Sequence, residues 1–140
     1  MADLTITAAN VSLVSGAHDV DCIAGEAFVA GASVYLSSTD GKWYKAKSSG
    51  NADQAGATDL GVALATADAA GARVSVAKPG SVVALGTGAA GGIYVVSATA
   101  GKIAPAADLA STNKATVIGL GIGSNQIVVH RLYNAGAVVP

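Results

Sequence analysis

The sequence predicts an all-β fold, either a small compact β-barrel or a β-sandwich. Short runs rich in β-branched and aromatic residues recur along the chain, stretches rich in Gly, Asn and Asp separate them, and helical periodicity is weak. The 140 residues correspond to one ordinary domain. The strand-like runs cover residues 4–7, 33–36, 42–44, 73–76, 81–85, 93–96, 115–118 and 126–133.

The first element is an N-terminal segment over residues 1–23, which precedes a β domain over residues 24–140. Its first residues alternate between apolar and polar types, as an extended strand does. Such a segment can be an arm that adds an edge strand to a partner, or the first strand of the domain's own sheet. The candidate partner-binding residues here are Ala2, Asp3, Leu4, Thr5, Ile6 and Thr7.

The next element is a β-hairpin around Asp40-Gly41, which lies between the runs 33–36 and 42–44. Asp-Gly is typical of tight turns because glycine adopts positive φ angles without steric cost. Trp43, the only tryptophan, follows this turn. It is a further candidate partner-binding residue, and its alternative role is that of a core anchor.

Two later runs indicate different environments. Val74 and Val76 alternate with polar residues in the run 73–78, which predicts a strand with one face in solvent. The run 127–129 is continuously apolar. It predicts a central strand that is covered on both sides, by the domain or by a neighbouring subunit.

The β domain contains two stretches of similar sequence. Residues 31–42 align without gaps on residues 91–102, and in both stretches a strand-like run is followed by a turn and a lysine. Shorter matches join 60–64 to 118–122 and 80–83 to 136–139. We therefore expect two related β units, at about 30–85 and 90–140.

The motifs that carry chemistry are weak. Residues 86–91 fit the pattern G-x-G-x-x-G, but a strand-like run follows, whereas a phosphate-binding loop needs the start of a helix there. His18 and His130 lack partners at metal-ligand spacing, and Cys22 is the only cysteine. We therefore predict no enzyme activity, no catalytic, cofactor-binding or metal-binding residue, and no cofactor.

Composition favours association with other proteins. Charged residues form 12% of the chain, hydrophobic residues 51%, and the formal net charge is −1, so self-repulsion is weak. Scattered basic residues predict no nucleic-acid partner. The uncharged stretch 79–101 is too rich in glycine for a membrane span. The N-terminus carries no secretion signal, so we expect assembly in a reducing cytoplasm.

Residues 61–64, 73–80, 91–97 and 103–109 resemble small tailed-bacteriophage head decoration proteins, also called capsid cement proteins. The similarity begins near residue 24 and covers most of the chain. It implies a virion structural protein on the capsid exterior, which binds the major capsid protein and stabilises contacts between neighbouring capsid subunits. It also implies a homo-oligomer, for which we expect a trimer, with a dimer as the alternative. No site residues are carried over from the resemblance.

Two other functions remain open. A phage fibre-base or receptor-binding module would bind glycan in an exposed aromatic or polar pocket. A small ligand-binding β-barrel would contain an internal cavity.

Overall fold

The computed structural model confirms the all-β class, as two antiparallel sheets that pack together. It describes residues 3–4, 6–16, 18–51, 53–56, 59–85, 92–106, 114–122 and 125–138. The strands are β1 (Ser12–Ser15), β2 (His18–Ile23), β3 (Ser33–Leu36), β4 (Trp43–Lys45), β5 (Leu60–Ala63), β6 (Arg73–Ala77), β7 (Val82–Ala84), β8 (Gly92–Val96), β9 (Ile103–Pro105), β10 (Lys114–Ile122) and β11 (Gln126–Val138). A short 3₁₀ turn spans Ala8–Asn10.

Sheet A has the strand order β1-β7-β11-β10-β8-β9, and sheet B has the order β2-β6-β5-β3-β4. Strands β1 and β2 both come from the segment 1–23, and one joins each sheet, so in the described part of that segment only Gly16 and the residues before Ser12 lie outside the strands. Within the described ranges, no helix is long and apolar enough to span a bilayer.

The predicted hairpin is confirmed in β3 and β4, which pair in antiparallel register. Gly41 has a φ angle of +71°, a conformation that favours glycine. The Ser37 N–H donates to the Lys42 carbonyl at 2.9 Å, and the Lys42 N–H donates to Asp40 Oδ1 at 3.0 Å. The Asp-Gly pair therefore forms the turn that its chemistry predicts.

A central core fills the space between the two sheets. Strand β11 lies between β7 and β10, which confirms the prediction of a central strand over residues 127–129. The buried members of the central core are Tyr35, Ala46, Leu60, Val62, Ala77, Val83, Leu85, Tyr94, Val96, Ile103, Ile118, Ile127 and Val129.

An outer core lies on the other face of sheet B, so this sheet is covered on both sides. Residues 24–32 and 64–72 pack over that face and are joined to each other by main-chain hydrogen bonds between Phe28 and Ala67, at 2.8 and 3.1 Å. The buried members of the outer core are Cys22, Ala24, Phe28, Ala32, Val34, Trp43, Ala63, Ala67, Val74 and Val76.

The two sheets repeat one pattern. Strands β3 to β6 lie in the order β6-β5-β3-β4, and strands β8 to β11 lie in the order β11-β10-β8-β9. The register repeats as well, since Val34 lies opposite Gly61 and Tyr94 lies opposite Gly119. Other corresponding pairs are Ser33–Val62 with Ile93–Leu120, Tyr35–Tyr44 with Val95–Ala104, Leu36–Trp43 with Val96–Ile103, and Val62–Ala77 with Leu120–Val128.

The turns after β3 and β8 also correspond. The Thr39 N–H donates to Ser37 Oγ at 3.2 Å, and the Thr99 N–H donates to Ser97 Oγ at 3.0 Å. Each turn ends in a glycine of positive φ, +78° at Gly101. The strand order, register and turns are those that a duplication requires, and the duplication itself stays a prediction.

The two units are stacked front to back, where the front is the face that carries Val34 and Trp43 in the first unit and their counterparts in the second, and the back is the opposite face. Val34 and Trp43 face the outer core, whereas their counterparts Tyr94 and Ile103 face the central core. The front of the second unit thus packs on the back of the first. The front of the first unit is covered by residues 24–32 and 64–72, and the back of the second unit is the face of sheet A turned away from sheet B.

Candidate functional site

The first described residues of the N-terminal segment, 3–4 and 6–7, lie at the side of the sandwich and outside both sheets. The Leu4 N–H donates to the Ile103 carbonyl at 2.7 Å, and Ser97 Oγ donates to Asp3 Oδ1 at 2.5 Å. Leu4 and Ile6 are half-buried against the central core, while Thr7 is exposed. Among the described residues of the segment, Asp3 and Leu4 form these hydrogen bonds, and Leu4 and Ile6 make the apolar contacts.

Four of the six candidate residues in this segment belong to the described chain, namely Asp3, Leu4, Ile6 and Thr7. Ala2 and Thr5 lie outside the described residues. Ile6 reaches Gly31, where a Cβ atom would lie 2.6 Å from Ile6 Cγ2. A glycine at position 31 therefore allows the segment to approach the domain closely.

A cleft of about 430 Å³ opens next to the segment. Its lining includes Phe28, Val29, Lys45, Asp68 and Lys102. Val29, whose surface is 54% exposed, and Lys102 also line a small groove beside the segment. The side of the sandwich thus combines apolar and charged groups in a concave surface, which suits contact with another molecule.

Trp43 belongs to the outer core. Its exposed fraction is 3%, and Lys78 Nζ lies 5.1 Å from the ring centroid in a cation–π arrangement. The same ammonium group forms an ion pair with Asp59. Of the two roles predicted for Trp43, the structure shows the core anchor, because its ring is enclosed by its own domain and has no surface to offer a partner.

A second surface is the face of sheet A turned away from sheet B, which we call the open face. A row of aliphatic side chains crosses four strands there, because Leu120 lies opposite both Ile93 and Val128, and Val128 lies opposite Val82. Ile93 is 51% exposed and Leu120 is 44% exposed. Ile122 begins the next row and is 38% exposed.

No charge interrupts either of these rows. The second row continues from Ile122 through Gln126 and Ala84 to Ser12. Antiparallel sheets that face water usually present polar residues on that face. The row from Ile93 to Val82, with Ile122 beside it, is therefore an exposed apolar patch of the kind that marks protein contacts, and the exposed His130 follows two residues after Val128 on the same face.

The charged groups of the hairpin form a local network at the surface. Tyr44 Oη donates to Asp40 Oδ2 at 2.6 Å, and this hydrogen bond lowers the pKa of Asp40 and raises that of Tyr44. Burial raises the pKa of Tyr35, and the nearby Asp53 carboxylate adds to the shift. These interactions stabilise the turn and bring no nucleophile and base together.

The other motifs and residues that the sequence analysis considered for ligand binding or catalysis form no reactive cluster among the described residues. Residues 86–91, with the G-x-G-x-x-G pattern, lie outside the described residues, as do the side chains of 18–21. Cys22 is buried, and His130 is exposed on β11. In the part of the chain that the structure describes, no three His, Cys, Asp or Glu side chains are grouped as metal ligands.

Comparison of the chain with protein-family models and with curated protein sequences finds no match.

Sequence reasoning missed the open face and the cleft. A signal for the open face was present, since residues 93–96 and 117–122 contain no charged residue and lack the alternation of a strand with one wet face. The cleft had no such signal. Residues from four separate stretches line it, and only the folded chain brings them together.

Proposed function

We propose that the chain is a non-enzymatic structural protein of a tailed-bacteriophage virion. It binds the outer surface of the capsid and stabilises contacts between major capsid subunits. The resemblance to head decoration proteins and the weakly charged composition support this proposal. The observation that carries it is the start of the N-terminal segment, where residues 3–4 and 6–7 lie outside both sheets beside an open cleft.

The segment is weakly held, so it is suited to exchange partners. The two hydrogen bonds and two half-buried aliphatic side chains of its described residues contribute roughly 1 kcal/mol each, or about 4 kcal/mol together. Fixing the backbone of four residues costs roughly the same. Docking on the parent domain is therefore close to balance, and an edge strand of a capsid subunit can compete for the segment.

Attachment would act thermodynamically. A protein that binds only the mature shell lowers the free energy of that state, and binding at many equivalent positions adds these contributions. The cleft beside the segment would widen the contact, with Val29 as an apolar group and Lys102 as a charged one. This mechanism needs no reactive group on the chain.

The test is addition of the purified chain to undecorated capsids of its own virus, followed by sedimentation. Deleting residues 2–8 should weaken capsid binding at least tenfold and leave a cooperative thermal unfolding transition. The double variant Leu4→Ser, Ile6→Ser removes the same apolar contacts if the deletion fails to fold. Val14→Ser, which changes an exposed aliphatic residue on β1, is the control and should bind normally.

Three results would count against the proposal. A wild-type chain that does not bind capsids refutes the function. Undiminished binding by the truncated chain refutes the role of the segment. Equal losses in the Val14→Ser control and in the Leu4, Ile6 variant would also refute that role, since the effect would not be specific to the segment.

The glycan-binding alternative makes a different prediction for the same cleft. The described aromatic side chains are buried except for the half-buried Tyr44, so the cleft offers polar groups and no exposed ring. Binding of the chain to a glycan array, abolished by Lys102→Ala, would favour this alternative over capsid decoration.

A further inference from the structure

The front-to-back stack gives the open face a structural counterpart inside the same molecule. Leu120 corresponds to Val62, and Val128 corresponds to Ala77, by their positions in the paired strands. Val62 and Ala77 are fully buried, because the second unit packs on that face of the first. The same face of the second unit is covered at Val95 and Ala104, which are buried, but the row of aliphatic side chains that contains Ile93 and Leu120 is half-exposed.

The capped front of the first unit limits what can cover this face. An indefinite stack of chains would need the front of another copy, but residues 24–32 and 64–72 already cover that front. Head-to-tail association of this kind, which would give open filaments, is therefore blocked. A contact in which both copies contribute the open face is not blocked in this way, and such a contact closes after two copies.

Charge also favours a second copy. A twofold contact brings each side chain near the same side chains of the partner, so any charge on the patch would repel itself. The two rows that cross the open face contain aliphatic residues, alanine, glutamine and serine, and no ionised group. Two such surfaces meet without desolvating a charge.

We infer that the open face of sheet A binds the open face of a second copy of this chain, with Leu120 near the centre of a twofold interface. The dimer uses a face distinct from the N-terminal segment and the cleft. The inference therefore goes beyond the proposed function, and it stands or falls by itself. In the dimer, strands β8, β10 and β11 are covered on both sides, as their continuous apolar runs predict.

Sedimentation velocity of the purified chain over a wide concentration range tests the inference. The wild type should be a dimer. Leu120→Lys should raise the dimer dissociation constant at least a hundredfold, because it places two ammonium groups in an apolar contact. Ile93→Thr keeps a β-branched residue and should weaken the dimer about tenfold, so it serves if the lysine variant fails to fold.

The control is Val29→Lys, which changes a similarly exposed aliphatic residue on the covered side of sheet B and should stay dimeric. Because no charge is buried, dimerisation should change little between low and high salt. A monomeric wild type overturns the inference, as does a trimer or a dimer that Leu120→Lys leaves intact. A monomer whose capsid binding is lost in Leu120→Lys would assign the open face to the capsid instead.

Discussion

A single methyl group at Gly61 or Gly119 tests the correspondence of the two units most sharply. A Cβ atom on Gly61 would lie 2.5 Å from the Ala77 carbonyl oxygen. On Gly119 it would lie 2.6 Å from the Val128 carbonyl oxygen, the corresponding atom of the other sheet. In both sheets, glycine lets a neighbouring strand approach to a distance that alanine forbids.

The magnitude follows from the size of the overlap. Ordinary contacts of a Cβ atom begin near 3.4 Å, so the neighbouring strand would have to move by about 0.8 to 0.9 Å. Overpacking of this kind costs about 1 to 3 kcal/mol, and replacing glycine returns up to about 1 kcal/mol through the unfolded state. We expect a net loss of about 2 kcal/mol, which lowers the Tm of a 140-residue domain by about 7 °C.

The assay is thermal unfolding of Gly61→Ala and Gly119→Ala, followed by circular dichroism. Gly80→Ala is the control, because a Cβ there meets nothing within 4 Å and only the φ angle of +95° opposes it. It should lower the Tm by about 3 °C, for a cost of about 1 kcal/mol. Unchanged Tm values for both strand variants would refute the close approach, and a large loss in only one of them would refute the correspondence.

Two further predictions concern the hairpin. Gly41→Val should lower the free energy of unfolding by about 1 to 2 kcal/mol, because a β-branched residue resists positive φ. Gly41→Asn should lower it less, and equal Tm values for the two variants in the same buffer would contradict this. Tyr44→Phe should raise the pKa of Asp40, measured by NMR of its carboxyl carbon. Because the folded pKa is lowered, this carboxylate contributes stability that is lost as the pH falls through that pKa, and the variant should lose less over that range; an unmoved pKa would contradict the assignment.

Local chemistry made part of the fold predictable. Asp40-Gly41 specifies a turn through its own backbone preference, and Val74 and Val76 are buried on one face of β6, as their alternation predicts. The continuous apolar run of residues 127–129 predicted their central position in the sheet, although Val128 lies half-exposed on the open face of sheet A. In each case the pattern lies within a few consecutive residues, so it predicts the local structure without knowledge of the partner strands.

The rest depended on contacts between distant parts of the chain. The sequence did not decide whether Trp43 is a core or a surface residue. Residues 24–32 and 64–72 bury it, and these stretches have no periodicity that predicts such packing. The N-terminal segment was open between arm and strand because its alternation suits both. The structure places residues 3–4 and 6–7 beside the sheets, a position set by Gly31 and Ile103, which no local pattern identifies.

The two proposed surfaces have separate tasks. The segment and cleft lie at the side of the sandwich, where they can meet a capsid subunit. The open face lies on the outside of sheet A, where it can meet a second copy. A dimer of this kind would present two N-terminal segments, so each attachment would raise the effective concentration of the other.

The most direct test of capsid decoration is a cryo-EM reconstruction of capsids after addition of the purified chain. We predict density for the sandwich on the outer surface, with residues 3–7 in contact with a major capsid subunit. Capsids without added density would contradict the proposed function. A sandwich bound to the shell with residues 3–7 turned away from it would contradict the mode of attachment.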